Sequence, residues 1–256
     1  TNTLDAELSS SNTTFDSSTS LTDGWISGGQ SGLYLNFKRA PGFFDMVSYT
    51  GAGDPTVVNH NLGAVPELTI IKRRDSASSY GWYVWANVIS NPGGGTSSND
   101  GSANLNTADQ YYTGNTMWSP GGFPTSTQLT IDGDQSDIGV AGGTYIAYLF
   151  ATLPGISKVG KYTGTSGIIN VDCGFTAGAR LVMIKRTDGA AGGWYLWDSA
   201  RGITNGNDPY ILLNSTASTV TNTDYIAPYN AGFTVNASGN AELNNNLGTY
   251  LFFAIA

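Results

Sequence analysis

The chain has 256 residues, enough for two domains of ordinary size or one large β domain. Only 12% of the residues are charged, and the net charge is −8 with 11 scattered lysines and arginines, which excludes a duplex nucleic acid partner and disfavours an anionic membrane surface. Polarity comes instead from Gly, Ser, Thr and Asn, which suits short strands joined by tight turns, and no apolar run reaches the length of about 18 residues that indicates membrane insertion.

Two copies of one pattern of about 105 residues follow each other along the chain. The sequence Ser-Tyr-Thr-Gly at 48–51 returns as Lys-Tyr-Thr-Gly at 161–164, and Trp-Tyr-Val-Trp at 82–85 returns as Trp-Tyr-Leu-Trp at 194–197. Further matches, in the same order along the chain, pair 57–59 with 168–170, 71–73 with 184–186, Asp75 with Asp188, 105–106 with 213–214, 122–125 with 232–235, and 145–151 with 250–256.

The segments within each copy have the length and bounds of strands. Residues 68–72 and 181–185 are short apolar runs between turn residues, too short for helices, and each Trp-Tyr-x-Trp segment follows a turn-rich loop, which predicts a hairpin. The sequence therefore predicts an all-β chain with two tandem β-sandwich repeats, jelly-roll-like, at 44–154 and 155–256. An N-terminal segment, 1–43, would carry the last strand of a partial repeat and a linker.

A Pro-Gly turn marks each boundary, at 41–42 and at 154–155. The linker 151–155 reaches at most about 17 Å when fully extended, and Pro154 restricts its backbone. Apolar Leu153 and Ile156 flank the turn, and we expect both side chains to be covered. We therefore expect the two repeats to be close neighbours at a defined angle.

Residues for catalysis or zinc binding are scarce. His60 is the single histidine, and the repeat alignment places Val171 opposite it, so a histidine-based site would exist in one copy only. Cys173 is the single cysteine and is interpreted as a small buried apolar residue. The repeated acids, Asp75 and Asp188, suit turn caps, and no glutamate recurs between the copies. These patterns predict that the protein is not an enzyme.

One acidic loop is a candidate calcium site. Asp132, Asp134 and Asp137 could converge on a hard cation, although the loop lacks the glycine and distal glutamate of an EF-hand. A solvated acidic hairpin loop is the alternative interpretation. Apart from possible calcium, no cofactor is expected.

The aromatic strands are the other candidate binding site. Side chains alternate between the two faces of a strand, so Trp82 and Val84 share one face of the first copy and Tyr83 and Trp85 the other. Aromatic rings beside polar neighbours can stack on sugars or anchor a protein interface. Core and inter-domain packing is the alternative, and it is favoured for Trp82 and its counterpart in the second copy. The candidate binding residues are Trp85, Trp197, Tyr83 and Tyr195.

Several strings resemble a repeat found in virion structural, tail-fibre-like proteins of marine tailed phages. They include Arg-Ala-Pro-Gly-Phe-Phe-Asp at 39–45, His-Asn-Leu-Gly at 60–63 and Ile-Lys-Arg-Arg at 71–74, and in the second copy Cys-Gly-Phe-Thr-Ala-Gly-Ala-Arg at 173–180. The resemblance covers about 30–256 and leaves 1–29 outside. It implies a homo-oligomeric component of the phage particle, assembled in the host cytoplasm. It also implies other virion proteins and a host-surface glycan or receptor as partners, and it supplies no catalytic residues.

Three functions are consistent with this resemblance. The first is a tail fibre or appendage protein involved in host attachment, and the second is a capsid decoration protein. The third is a polysaccharide depolymerase, which the lack of a repeated carboxylate pair disfavours.

Overall fold

The computed structural model describes residues 35–53, 55–75, 81–89, 101–112, 117–118, 122–132, 138–189, 192–236 and 241–256. Across these residues the chain forms fifteen strands and one helical turn, α1 (Ala241–Asn244). The predicted all-β class is therefore confirmed. The short strands and frequent turns agree with a composition rich in Gly, Ser, Thr and Asn.

The first half contains a large and a small antiparallel sheet. The large sheet has the spatial order β1 (Phe44–Thr50), β7 (Thr144–Phe150), β3 (Leu68–Arg73), β4 (Trp82–Ala86) and β5 (Ala103–Asn104). The small sheet pairs β2 (Thr56–Asn59) with β6 (Gln128–Ile131), and Trp118 adds a single bridge to Ile131.

The second half has the same strand order. Its large sheet runs β8 (Ser157–Thr163), β15 (Thr249–Ile255), β10 (Leu181–Arg186), β11 (Trp194–Asp198) and β12 (Ile211–Leu212). Its small sheet runs β9 (Ile169–Asp172), β14 (Gly232–Val235) and β13 (Ile226–Tyr229). Each strand of the first half thus has a counterpart at the same place in the second.

Individual hydrogen bonds recur with the strand order. The side-chain oxygen of Asn106 accepts the amide hydrogen of Trp82 at 2.9 Å, and that of Asn214 accepts the amide hydrogen of Trp194 at 2.7 Å. Each asparagine therefore holds the start of the aromatic strand against the segment that follows the sheet edge. The asparagine that recurs in the sequence match between 105–106 and 213–214 therefore has the same structural role in both halves.

A stacked tyrosine pair also recurs at one end of each half. The rings of Tyr49 and Tyr145 lie 5.0 Å apart, and those of Tyr162 and Tyr250 lie 4.8 Å apart. In each pair the tyrosine of the outer strand donates its hydroxyl to a backbone carbonyl before the last strand: Tyr49 to Ile138 at 2.7 Å, and Tyr162 to Leu243 at 2.6 Å. The stack therefore fastens this loop to the sheet in both halves.

Two of the sequence matches are displaced in the structure. The strand equivalent to β14 is β6 at 128–131, not the segment 122–125, which forms no strand. The register of the small sheets also aligns 57–59 with 170–172, two residues from the sequence match. A shift of two residues keeps each side chain on the same face, so the alternating pattern alone does not exclude it.

Both faces of each large sheet are buried. In the first half, one face packs on the small sheet around Ile71, Trp85 and Leu149. In the second half, the corresponding face packs on the other small sheet around Ile184 and Trp197. The remaining faces of the two large sheets pack against each other, so the described chain forms four layers of sheet.

The face between the two large sheets is a continuous apolar core. Phe150 of the first half contacts Phe253 of the second, with ring centres 4.8 Å apart, and the indole N–H of Trp194 donates to the Asn104 carbonyl at 2.9 Å. The buried residues of this core are Phe44, Leu68, Val84, Ala86, Ala103, Tyr111 and Phe150 from the first half, and Val159, Met183, Trp194, Leu196, Leu251 and Phe253 from the second.

The linker is a bonded turn at the edge of this core. The amide of Leu153 donates to the Ser157 hydroxyl at 3.0 Å, and that hydroxyl donates to the Ala151 carbonyl at 2.7 Å. Leu153 is partly buried, whereas Ile156 is 46% exposed, contrary to the expectation that both side chains would be covered. The core between the sheets, and not the apolar flank of the linker, therefore accounts for most of the contact between the halves.

The two leading tryptophans of the aromatic strands differ in burial, which gives a matched test of the shared core. Trp194 is fully buried between the halves, whereas Trp82 is only partly buried. We expect Trp194→Ala to lower the free energy of unfolding by about 3–5 kcal/mol, and Trp82→Ala by clearly less. Chemical denaturation of both variants measures this, and equal losses would contradict the asymmetry of the shared core.

Candidate functional site

The candidate aromatic binding residues lie mostly inside the sandwiches. Trp85, Trp197 and Tyr195 are each at most 3% exposed, and Tyr83 is partly buried against the first core. The sequence alone allowed one aromatic face of these strands to be exposed for ligand binding. The structure corrects that interpretation for the three buried rings, because the small sheets cover the face that carries them.

The polar atoms of Trp197 explain its buried position. Its indole N–H donates to the Asp208 carboxylate at 2.8 Å, and the same carboxylate accepts the amide hydrogens of Tyr225 and Ile226. Burial raises the pKa of Asp208, and these hydrogen bonds oppose the rise. Asp208 therefore joins β11 to the start of β13 and has a structural role.

The candidate calcium residues are only partly within the described chain. Asp132 is buried, and Asp134 and Asp137 lie outside the described residues. Across the described ranges, no group of three or more His, Cys, Asp and Glu side chains is placed to hold a metal ion. Calcium binding by the three aspartates stays a prediction.

His60 is a buried, neutral side chain in a structural position. The Leu62 amide donates to Nδ1 at 3.3 Å, so Nδ1 is unprotonated, and Nε2 lies 3.1 Å from the Thr125 carbonyl, to which it donates. Burial lowers the pKa of the imidazole below its ordinary value. Both ring nitrogens are engaged, which leaves neither free to act as a general base.

The residue equivalent to His60 is Cys173, not Val171. The amide of each donates to the residue just before the matching strand, Thr127 for His60 and Ala231 for Cys173. Cys173 is buried and unpaired, and burial raises the pKa of its thiol to about 12, which agrees with the predicted apolar role.

The repeated aspartates form ion pairs. Asp75 accepts from Arg73 at 2.8 Å, and Asp188 accepts from Arg186 at 2.8 Å, each across two positions of the same strand end. The arginine is the largest cause of the lowered pKa of Asp75. The guanidinium of Arg73 also lies 5.8 Å from the ring centre of Tyr145. These aspartates therefore pair with an arginine at the ends of β3 and β10, and they also accept backbone hydrogen bonds, as expected for turn caps.

Lys185 joins the two halves at a closed site. It is fully buried, donates to the carbonyls of Ala108 and Gly192, and lies 5.7 Å from the ring centre of Trp194. Burial lowers its pKa to about 8, while Asp109 and Glu242 oppose this effect. A lysine with a lowered pKa can be a catalytic group, but this ammonium has no access to a substrate.

An open groove lies along the second sandwich between its two edge strands, β8 and β9. Its volume is about 390 Å³. Both strands contribute exposed or partly exposed polar side chains at the rim, and Phe252 forms part of the floor. The lining residues are Val88, Lys158, Val159, Gly160, Lys161, Tyr162, Ile169, Asn170, Val171, Asp172 and Phe252.

The two halves differ in charge at this groove. Asp45 of β1 occupies the position of Lys158 in β8, since Thr50 and Thr163 are equivalent. The Asp45 carboxylate is buried and accepts the amide hydrogen of Asn61 at 2.7 Å, which closes the seam between β1 and the end of β2. A lysine cannot accept such a bond, and the equivalent amide of the second half, that of Gly174, donates instead to the Asp172 carboxylate at 2.8 Å.

The floor of the groove differs between the copies as well. Gly160 faces Phe252 across the β8–β15 pair, whereas Val47 faces Ala147 at the equivalent pair of the first half. A Cβ atom on Gly160 would lie 2.4 Å from the Phe252 ring, so the glycine is required for this ring position. In the first half the larger side chain of the pair, Val47, is on the outer strand, whereas in the second half it is Phe252 on the inner strand. The outer strand β8 therefore has no side chain at this position of the groove.

The sequence itself contains a signal for this groove, in positions where the two copies differ. Extending the match between 48–51 and 161–164 by three residues aligns Asp45 with Lys158 and Val47 with Gly160. Positions where two copies reverse charge or exchange size indicate sites where their surfaces differ. Positions that the copies share are mostly core, so they do not reveal this groove.

Comparison with known proteins gives a family without an assigned function. A family model described as a domain of unknown function, DUF7483, matches residues 14–256. One match therefore covers both halves. No curated protein and no solved structure matches the chain. Within the described residues, no helix is long and apolar enough to cross a membrane.

The closed seam of the first half can be tested against the open one. We expect Asp45→Ala to lower the free energy of unfolding by about 1–3 kcal/mol, because the Asn61 amide loses its acceptor and Arg39 loses its ion-pair partner. The matched change Lys158→Ala is expected to stay within about 0.5 kcal/mol of the wild type. Urea denaturation of both variants measures the difference, and an equal effect would contradict the proposed origin of the groove.

His60 gives the fold a defined pH dependence. Its folded pKa lies below the ordinary value of 6.5, so the unfolded chain binds more protons in this range. The stabilisation is fully present above about pH 6.5 and is lost as the pH falls towards the folded pKa. We expect the difference in unfolding free energy between wild type and His60→Gln to shrink from pH 7 to pH 5. Denaturation curves across this range check it, and a constant difference would rule it out.

Proposed function

The chain belongs to the DUF7483 family, and we propose that it is a non-enzymatic structural protein of a tailed-phage particle. In this proposal it is a tail-fibre or appendage component that takes part in host-surface attachment. The resemblance of its strings at 39–45, 60–63, 71–74 and 173–180 to phage virion repeats supports this origin. Its partners would be other virion proteins and a host-surface glycan or receptor, and the working form would be a homo-oligomer.

The single observation that carries the structural role is the apolar core between the two large sheets. A core of this kind resists relative motion of the halves, because separating them would expose rings such as Phe150 and Phe253 to water. A protein that transmits force or position in a particle needs this rigidity. A hinged enzyme usually has a less apolar boundary between its moving parts.

We also propose that the halves, 44–154 and 155–256, are tandem copies of one jelly-roll-like sandwich. The equal strand order, the paired asparagines at 106 and 214 and the two tyrosine stacks support a duplication. Duplication followed by back-to-back packing would give a rigid body without a disulfide, which suits a chain with one cysteine.

The state of the ionisable groups supports a non-catalytic role. Among the described residues, His60 uses both ring nitrogens, Lys185 is enclosed, and Asp75 and Asp188 are held by arginines. Hydrolysis of a glycosidic bond needs two carboxyl groups facing a common substrate. None of these four groups offers that arrangement, so polysaccharide cleavage is the least supported of the three functions.

Capsid decoration is the second candidate, and the packing of the two halves favours it. The halves pack through their large sheets and share one core, unlike two domains on a free linker. A single rigid body can bind a repeating capsid surface, whereas a fibre needs elongation by other copies or other domains. Both candidates use the same rigid core and differ in the place of the protein in the particle.

Labelling of purified particles tests this function. Gold-labelled antibodies against the chain are expected to mark the tail appendages in electron micrographs. Label spread over the capsid would support decoration in place of attachment, and particles without label would contradict both.

We expect the purified chain to leave host-surface polysaccharide uncleaved, because no glutamate recurs between the repeats and the recurring aspartates, Asp75 and Asp188, are held by arginines. Reducing-end analysis after long incubation measures this. A commercial glycosidase acting on the same polysaccharide is the positive control. Turnover that disappears when a single carboxylate is changed would overturn the non-enzymatic role.

A further inference from the structure

Alternate residues of β8 direct their backbone N–H and C=O groups away from the neighbouring strand β15. Ala256 donates its amide hydrogen to the Ile156 carbonyl at 2.9 Å, and Gly164 donates to Gly248 at 2.8 Å. Hydrogen-bonded pairs alternate in an antiparallel ladder, so the residues between these positions direct N–H and C=O to the open edge. They are Ser157, Val159, Lys161 and Thr163.

The linker already occupies the first part of this edge. The Ser157 amide donates to the Leu153 carbonyl at 2.9 Å, and the Val159 amide donates to the Thr152 hydroxyl at 3.2 Å. In the described part of the chain, the amides of Lys161 and Thr163 have no such partner. This turn satisfies the outward-facing amides of Ser157 and Val159, and it leaves the next two positions, Lys161 and Thr163, open.

The open positions lie beside the groove, where the charge is positive. Lys158 and Lys161 both line it, and neither ammonium forms an ion pair with the described residues. Asp172 is the one acid in the lining, and its carboxylate accepts the amide hydrogen of Gly174 at 2.8 Å. In a chain with a net charge of −8, this strip is a local exception.

We propose that the open edge of β8 at 161–163, with the groove between β8 and β9, binds an extended acidic segment of another protein. The segment adds as a strand to β8: its backbone pairs with Lys161 and Thr163, and its acidic side chains meet Lys158 and Lys161. Alternate side chains of the segment point into the groove. This interface goes beyond the role in a phage particle and does not depend on it.

A glycan fits this groove less well than a peptide. Sugar recognition usually uses an accessible aromatic face, and the two rings of the groove, Phe252 and Tyr162, are 2% and 8% exposed. Unpaired amides and carbonyls at strand spacing match the spacing of another polypeptide backbone. A second copy of this chain carries the same net charge of −8, which opposes self-association through this strip.

The first half supplies a matched control. Ser48 of β1 is equivalent to Lys161 and also faces an open edge, but its seam is closed by Asp45, whose carboxylate also neutralises the nearby Arg39. Proline is tolerated where an edge-strand N–H faces solvent, and there it removes the donor that an added strand needs. Lys161→Pro and Ser48→Pro therefore place the same change on equivalent edges.

Selection of short random peptides on the intact chain tests the proposal. Enriched peptides are expected to be acidic and rich in Val, Ile and Thr. Their affinity, measured by fluorescence anisotropy, is expected to fall by about tenfold or more in Lys161→Pro and to stay unchanged in Ser48→Pro. Circular dichroism and thermal unfolding establish that both variants fold, and Lys161→Glu with Ser48→Glu repeats the comparison by charge if a proline variant does not fold.

Three results would overturn the proposal. The first is a selection without acidic enrichment, and the second is equal loss of binding in the Lys161 and Ser48 variants. The third is a host glycan or a second copy of the chain, detected by glycan array or light scattering, that binds through Lys161 in place of a peptide. Phage particles that are not labelled by the antibodies would contradict the proposed virion function but not this peptide interface. The two proposals can therefore be refuted independently.

Discussion

Burial of the apolar face between the two large sheets is the constraint on which the structure depends. Each large sheet must cover two apolar faces, and its own small sheet covers only one. The other face is covered by the large sheet of the other half, where Phe150 meets Phe253 and Trp194 reaches the Asn104 carbonyl. Neither half can therefore leave the other without exposing a large apolar surface.

This constraint also explains why the copies are not symmetric. Segment 104–108 of the first half covers Trp194 and accepts a hydrogen bond from Lys185, whereas Trp82 stays partly exposed. Positions that meet in the shared core are held by packing, and positions at the outer seams are free to diverge. The exchange of Asp45 for Lys158 lies at such a seam and opens a groove on one half only.

The repeated strings predicted the class of fold and most paired features correctly, because alternating apolar residues and turn residues act locally. They failed where the answer depends on register or coverage. The register of the small sheets differs from two of the sequence matches, although the same faces are buried. In this register His60 is equivalent to Cys173. Trp85, Trp197 and Tyr195 were candidate binding residues because a strand that is apolar on both faces does not reveal what covers each face.

The sequence by itself determined an all-β chain with a repeated pattern of strands, a short turn at the linker, and single histidine and cysteine residues. It could do so because strand length, alternation and turn chemistry are properties of short segments. Only the tertiary structure decided that the two halves share one core, that the aromatic strands are covered on both faces and that β8 keeps an open edge beside a basic groove. Those features arise from contacts between segments about 100 residues apart, whose pairing depends on complementary shape and on the placement of single charges such as Asp45 and Lys158.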